Sequence, residues 1–163
     1  MRNRFPALVC AAALVLSACG QGRDAIEVET QAAAGTVVAT WSFAVPPNAM
    51  NRLDLDLTSD GSGNVEATVL HAGYGAGRYL SGELLRVVVV PDTGATSPTN
   101  NWDLYLYDLA WQDVLQGVFA NNTNTTATAN DYGTTPSALV GAYTVRGEGF
   151  GAANGATAYL YYR

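Results

Sequence analysis

Residues 102–109 read Trp-Asp-Leu-Tyr-Leu-Tyr-Asp-Leu, and their alternation is that of a β-strand with one dry face. Successive strand side chains point to opposite faces of a sheet. Trp102, Leu104 and Leu106 therefore fall on one side, and Asp103, Tyr105 and Tyr107 on the other. Leu53, Leu55 and Leu57 repeat the pattern against Asp54 and Asp56. So does the stretch 36–45, with Val37, Ala39, Trp41, Phe43 and Val45 on one side. Pro46-Pro47 ends that run, because proline cannot donate to a ladder. Residues 84–90 are nearly all apolar and β-branched and read as a central strand buried on both faces.

The remaining strands are expected at 65–72, 138–146 and 156–162. Residues 59–64, Ser-Asp-Gly-Ser-Gly-Asn, form a turn expected to close a hairpin between 53–57 and 65–72. Residues 111–119 carry no single period; one helical turn followed by a short strand fits them best. Residues 72–82, 91–101, 121–131 and 147–155 are glycine-rich or polar and read as loops. The expectation for 35–163 is an all-β domain, an antiparallel β-sandwich or small barrel of seven to eight strands.

Charge and composition exclude several functions. Only 13% of the 163 residues are charged, and all eight basic residues are Arg. An acidic chain with so few cations is a poor ligand for phosphate backbones, so no nucleic-acid partner is expected. One His and two Cys leave no basis for a His/Cys zinc site or a disulfide framework. No metal and no cofactor is expected.

The amino terminus has three zones. Arg2 and Arg4 form a short positive region, residues 5–16 are apolar, and Leu16-Ser17-Ala18-Cys19 follows. Twelve helical residues span about 18 Å, too short for a hydrocarbon core of roughly 30 Å. The run therefore reads as a secretory segment. Leu16-Ser17-Ala18-Cys19 resembles the lipobox of bacterial lipoproteins. The resemblance implies cleavage after Ala18, diacylglycerol on the Cys19 thiol, and membrane attachment through Cys19. The expected organisation is a signal peptide at 1–18, the lipidated Cys and a flexible tether at 19–34, and the sandwich at 35–163. With Arg2 and Arg4 removed, the charge of the mature chain is 6 − 14 = −8. Gly20, rather than Asp, follows the Cys, so in a host with two membranes the family's sorting pattern favours the outer one.

Nucleophilic catalysis lacks its parts. The single imidazole, His71, sits at a predicted strand end, and no nucleophile elbow, zinc-protease helix or phosphate loop is present. Asp56, Asp60, Gly61 and Asn64 partly echo a calcium loop, but Ala67 stands where the closing Glu belongs, so a plain Asp-Gly turn is the better reading. Asp103, Asp108 and Asp113 form a second oxygen-rich group. The more telling feature is aromatic. Trp102, Tyr105, Tyr107 and Trp111 lie within ten residues and are the candidate ligand-binding residues, because flat rings bury large area at low entropic cost. Tyr159, Tyr161 and Tyr162 crowd the last strand.

From Glu83 onward the short words Ser97-Pro98-Thr99, residues 102–108, Asp113-Val114-Leu115 and Leu160-Tyr161-Tyr162-Arg163 resemble small β-sandwich proteins of tailed phages and prophages. The likeness departs at Ala110-Trp111, where a turn glycine is expected, and at the lipobox. It implies an assembly or surface-interaction role. The expected function is a lipid-anchored, non-enzymatic binding or assembly domain at the cell envelope, with an envelope protein or glycan as partner. An envelope glycan hydrolase with paired carboxylates, or a self-associating surface subunit, is the alternative.

Overall fold

The computed structural model describes residues 35–42, 50–69, 80–132 and 137–163. The leader, Cys19, the tether and His71 lie outside these residues. In chain order the strands are β1 (Thr36–Ser42), β2 (Asn51–Thr58), β3 (Val65–Val69), β4 (Leu80–Pro91), β5 (Asp103–Tyr107), β6 (Thr128–Asp131), β7 (Ser137–Gly141), β8 (Tyr143–Glu148) and β9 (Gly155–Tyr162). All pairings are antiparallel. A six-stranded sheet has the order β1-β2-β9-β4-β6, with β7 also on β4; a three-stranded sheet has the order β3-β8-β5. The two pack face to face and do not close into a barrel, as expected for a sandwich.

The alternation fills the space between the sheets. Leu53, Leu55 and Leu57 of β2 and Ala158 and Leu160 of β9 face Leu104 and Leu106 of β5 and Val145 of β8 in one buried cluster. The void between these layers is lined by Leu55, Val87, Leu104, Leu106 and Leu160 with part of Tyr105, and among the described residues no charged side chain lines it. Ordinary packing rather than a cleft occupies the centre of the molecule.

Nine strands appear among the described residues instead of seven or eight, for two reasons. Residues 138–146 divide: Gly141, at φ +109°, breaks the run, so β7 pairs in the large sheet and β8 in the small one. Residues 128–131 belong to β6 rather than to a loop, since Arg86–Val89 of β4 supplies them with a ladder.

Three further expectations are corrected. The hairpin at 59–64 is a crossing between sheets: β1 and β9 already occupy both edges of β2, and β3 pairs with β8. The turn itself is as read. Asp60 Oδ1 accepts the amides of Ser62 at 2.8 Å and Asn64 at 3.0 Å. Strand β4 is central but has only one dry face, with Arg86 exposed and Val88 half-buried, because a two-layer fold covers each sheet once. Residues 111–119 contain turns and no helix. Gly155 marks a close approach of β9 to β2 and to Asp92. A Cβ there would meet the Leu57 carbonyl at 2.6 Å and Asp92 Oδ2 at 2.7 Å.

Candidate binding surface

Strand β5 builds the surface. Its inward residues, Leu104 and Leu106, anchor it in the core, and the same alternation turns Asp103, Tyr105 and Tyr107 outward. The Tyr105 and Tyr107 rings lie 5.6 Å apart at 21°, and Trp111 continues the row, 5.7 Å from Tyr107 at 51°. Tyr105 and Tyr107 are half-buried and Trp111 is 61% exposed, with Leu109 also exposed beside it in sequence. Three of the four aromatic candidates thus form one external row.

Trp102 does not belong to it. Its ring is fully buried, packs on Phe150 at 4.6 Å, and its Nε1 donates to the Thr123 carbonyl at 3.1 Å. The reason is parity. Trp102 shares its side of the strand with Leu104 and Leu106, so closeness in sequence to Tyr105 is not closeness on the surface.

The loop that carries Trp111 is a tight reversal. Asp108 Oδ1 accepts the amides of Ala110 at 2.8 Å and Gln112 at 2.9 Å, and the Trp111 amide donates to the Asp108 carbonyl at 3.0 Å. Trp111 has φ +58°. Glycine or asparagine is the usual residue there, since an L-residue in this region costs roughly 1–2 kcal/mol. A large ring is kept in an unfavourable backbone conformation and then left in water.

The far edge of β5 is closed by the following segment. Leu104 N donates to the Phe119 carbonyl at 2.9 Å, Val114 N to the Leu106 carbonyl at 2.9 Å, and Asn122 N to the Trp102 carbonyl at 2.8 Å. Asp113 completes the cover: Oδ1 accepts the amides of Leu106 at 3.1 Å and Leu115 at 3.0 Å, and Oδ2 that of Gly117 at 2.7 Å. Asp103 Oδ1 accepts the Asn121 amide at 2.6 Å. The carboxylates of Asp103, Asp108 and Asp113 are thus engaged by backbone amides, the work of loop staples. Among the described residues no group of three His, Cys, Asp or Glu is placed to hold a metal ion.

Charged residues from the neighbouring strands surround the rings. Glu148 of β8 stands opposite Asp103, Arg146 of β8 lies opposite Tyr105, and Glu66 of β3 lies beyond Arg146. Burial first, then the charge of Asp103, with smaller contributions from Tyr107 and Glu148, pushes the Tyr105 phenol above its ordinary pKa. These flanking residues were missed because cross-strand neighbours are not sequence neighbours.

The terminal tyrosines are split. Tyr162 is buried, while Tyr159 and Tyr161 lie half-buried on the outer face of the large sheet. There the Arg52 guanidinium sits 5.4 Å from the Tyr159 ring and ion-pairs with Asp54 at 2.6 Å. On the same face, the Asp56 carboxyl is raised above its ordinary pKa, by partial burial first and by the charge of Asp92 second. No protein-family model, curated protein or solved structure matches the chain.

Proposed function

We propose that the chain is a lipid-anchored cell-envelope lipoprotein whose β-sandwich is a non-enzymatic binding module, as its phage-like words also imply. The observation that carries the binding role is the outward-facing row Tyr105–Tyr107–Trp111, ending in the exposed Trp111 at positive φ. Rings of this kind dominate the energetics of recognition surfaces. The anchoring role rests on Leu16-Ser17-Ala18-Cys19 behind a short apolar run. One acyl chain anchors marginally and reversibly, whereas two or more on one Cys hold durably. In a two-membraned host the outer membrane is the favoured site, and the partner is an envelope protein or glycan.

The binding role has a direct test. The chain is purified as Cys19→Ser, so that no lipid holds it to the membrane, and is incubated with isolated envelope fragments beside the same chain carrying Tyr107→Ala/Trp111→Ala. Retention should fall at least about ten-fold, the scale of losing hot-spot rings, while the melting temperature stays near that of wild type. Equal retention of the two proteins overturns the reading.

Anchoring is tested separately. Cells fed labelled palmitate should label the wild-type chain and leave Cys19→Ser unlabelled, with the variant moving from the membrane to the aqueous fraction. Equal labelling refutes it.

A further inference from the structure

The outer faces of the two sheets treat their tyrosines differently. On the large sheet, Tyr161 stands in register between Arg52 and Arg86, and the Arg52 guanidinium lies against the Tyr159 ring. That face supplies its own cations. On the small sheet, among the described residues, the guanidinium in register with the rings is that of Arg146, whose Nη2 is held 2.6 Å from Glu148 Oε1. Among the described residues no cation lies over Tyr105, Tyr107 or Trp111. The face carries three carboxylates, Glu66, Asp103 and Glu148, against that one guanidinium.

Resting on the binding role proposed above, we infer that the Tyr105–Tyr107–Trp111 face receives a cationic side chain, arginine above all, from a basic segment of a partner protein. The ring faces carry the negative end of an aromatic quadrupole, and the Asp103 carboxylate beside them adds negative charge that the Arg146–Glu148 ion pair does not cancel. Arginine suits the site better than lysine because its planar, weakly hydrated guanidinium stacks on rings. The Arg52–Tyr159 contact is the same arrangement made within the chain. The body is acidic and contains no Lys, so its field draws basic partners and repels anionic glycans and lipids. Trp111, the most exposed ring and the one held at positive φ, is the outer wall of the site.

The experiment titrates a hexa-arginine peptide into the full chain by calorimetry, comparing wild type with Trp111→Gly and Trp111→Ala. Neither substitution alters net charge. Hexa-arginine affinity should fall about ten-fold in both, the order expected for a partly desolvated cation–π contact. Trp111→Gly should melt at or above the wild-type temperature, since glycine accepts the backbone conformation freely. Unchanged affinity in both variants would mean general attraction to an acidic protein and overturns the inference. Absence of hexa-arginine binding overturns it as well. Trp111-dependent binding of a hexa-glutamate peptide, a neutral oligosaccharide or phosphatidylcholine vesicles in place of hexa-arginine also overturns it, while leaving the binding role intact. The binding role itself falls only when retention on envelope fragments is insensitive to the rings.

Discussion

Trp102→Ala is expected to destabilise the domain by about 3–5 kcal/mol, the usual range for deleting a buried Trp side chain. Two losses combine. The ring is fully buried against Phe150, so its removal leaves a cavity that the surrounding sheets fill only in part. Its Nε1 also holds the Thr123 carbonyl at 3.1 Å, tying the loop after β5 to the core. For a domain of this size the melting temperature should drop by roughly 10–20 °C. Trp102→Phe keeps most of the apolar volume and loses the hydrogen bond, so it should cost less than half as much. Circular dichroism melts of the two variants, with Trp111→Ala as the surface control, make the measurement. A Trp102→Ala protein that melts within a few degrees of wild type would show that this ring is not part of the core. The contrast matters for function: two tryptophans nine positions apart should separate, one required for the fold and the other for recognition.

Asp113→Ala should be the most damaging of the carboxylate deletions. One side chain accepts three backbone amides, those of Leu106, Leu115 and Gly117. Hydrogen bonds to an ionised acceptor contribute about 1.5–3 kcal/mol each, and the freed amides regain part of this from water, so a net loss of about 2–4 kcal/mol follows. The consequence extends beyond stability. Leu106 lies in β5, and the segment stapled by Asp113 covers the outer edge of that strand. An uncovered edge presents unpaired donors and acceptors to other chains, so the variant should self-associate at lower concentration than wild type. Asp113→Asn retains one acceptor oxygen and should lose about half as much. Denaturant midpoints, amide exchange at Leu106 and Gly117, and size-exclusion chromatography report the three effects. Wild-type exchange rates at both amides in Asp113→Ala would refute the staple.

The proposed binding surface and this edge are linked. Tyr105 and Tyr107 project from β5, and Trp111 from the turn that returns along it. Loosening the cover would therefore disturb the geometry of the rings. A binding defect in an Asp113 variant follows from the fold and does not place Asp113 in the site.

Much of the candidate site was legible because parity is local. The alternation at 102–109 assigned Tyr105 and Tyr107 to the outside and Leu104 and Leu106 to the inside, as found. The same parity placed Trp102 inward, and grouping it with the outer rings by proximity in sequence was the error. Trp111 was conspicuous for standing where a turn glycine was expected, and the structure gives it the positive φ that such a glycine would have. Arg146, Glu148 and Glu66 were not recoverable, since they reach the rings through pairings of β8 with β5 and β3.

Period-two alternation, proline stops and the scarcity of charge determined on their own that this is an antiparallel all-β domain and which side chains of most strands face inward, because side-chain direction along a strand depends on nothing beyond the strand. The partner of each strand was another matter. Residues 59–64 make the turn their composition demands, yet the chain leaves it for the opposite sheet, since β9, arriving from a hundred residues away, had taken the edge a hairpin would have used. Residues 138–146 look continuous and are divided between sheets at Gly141. Pairing is a competition among distant segments for the same backbone donors and acceptors, and only the assembled tertiary structure decides which segment wins.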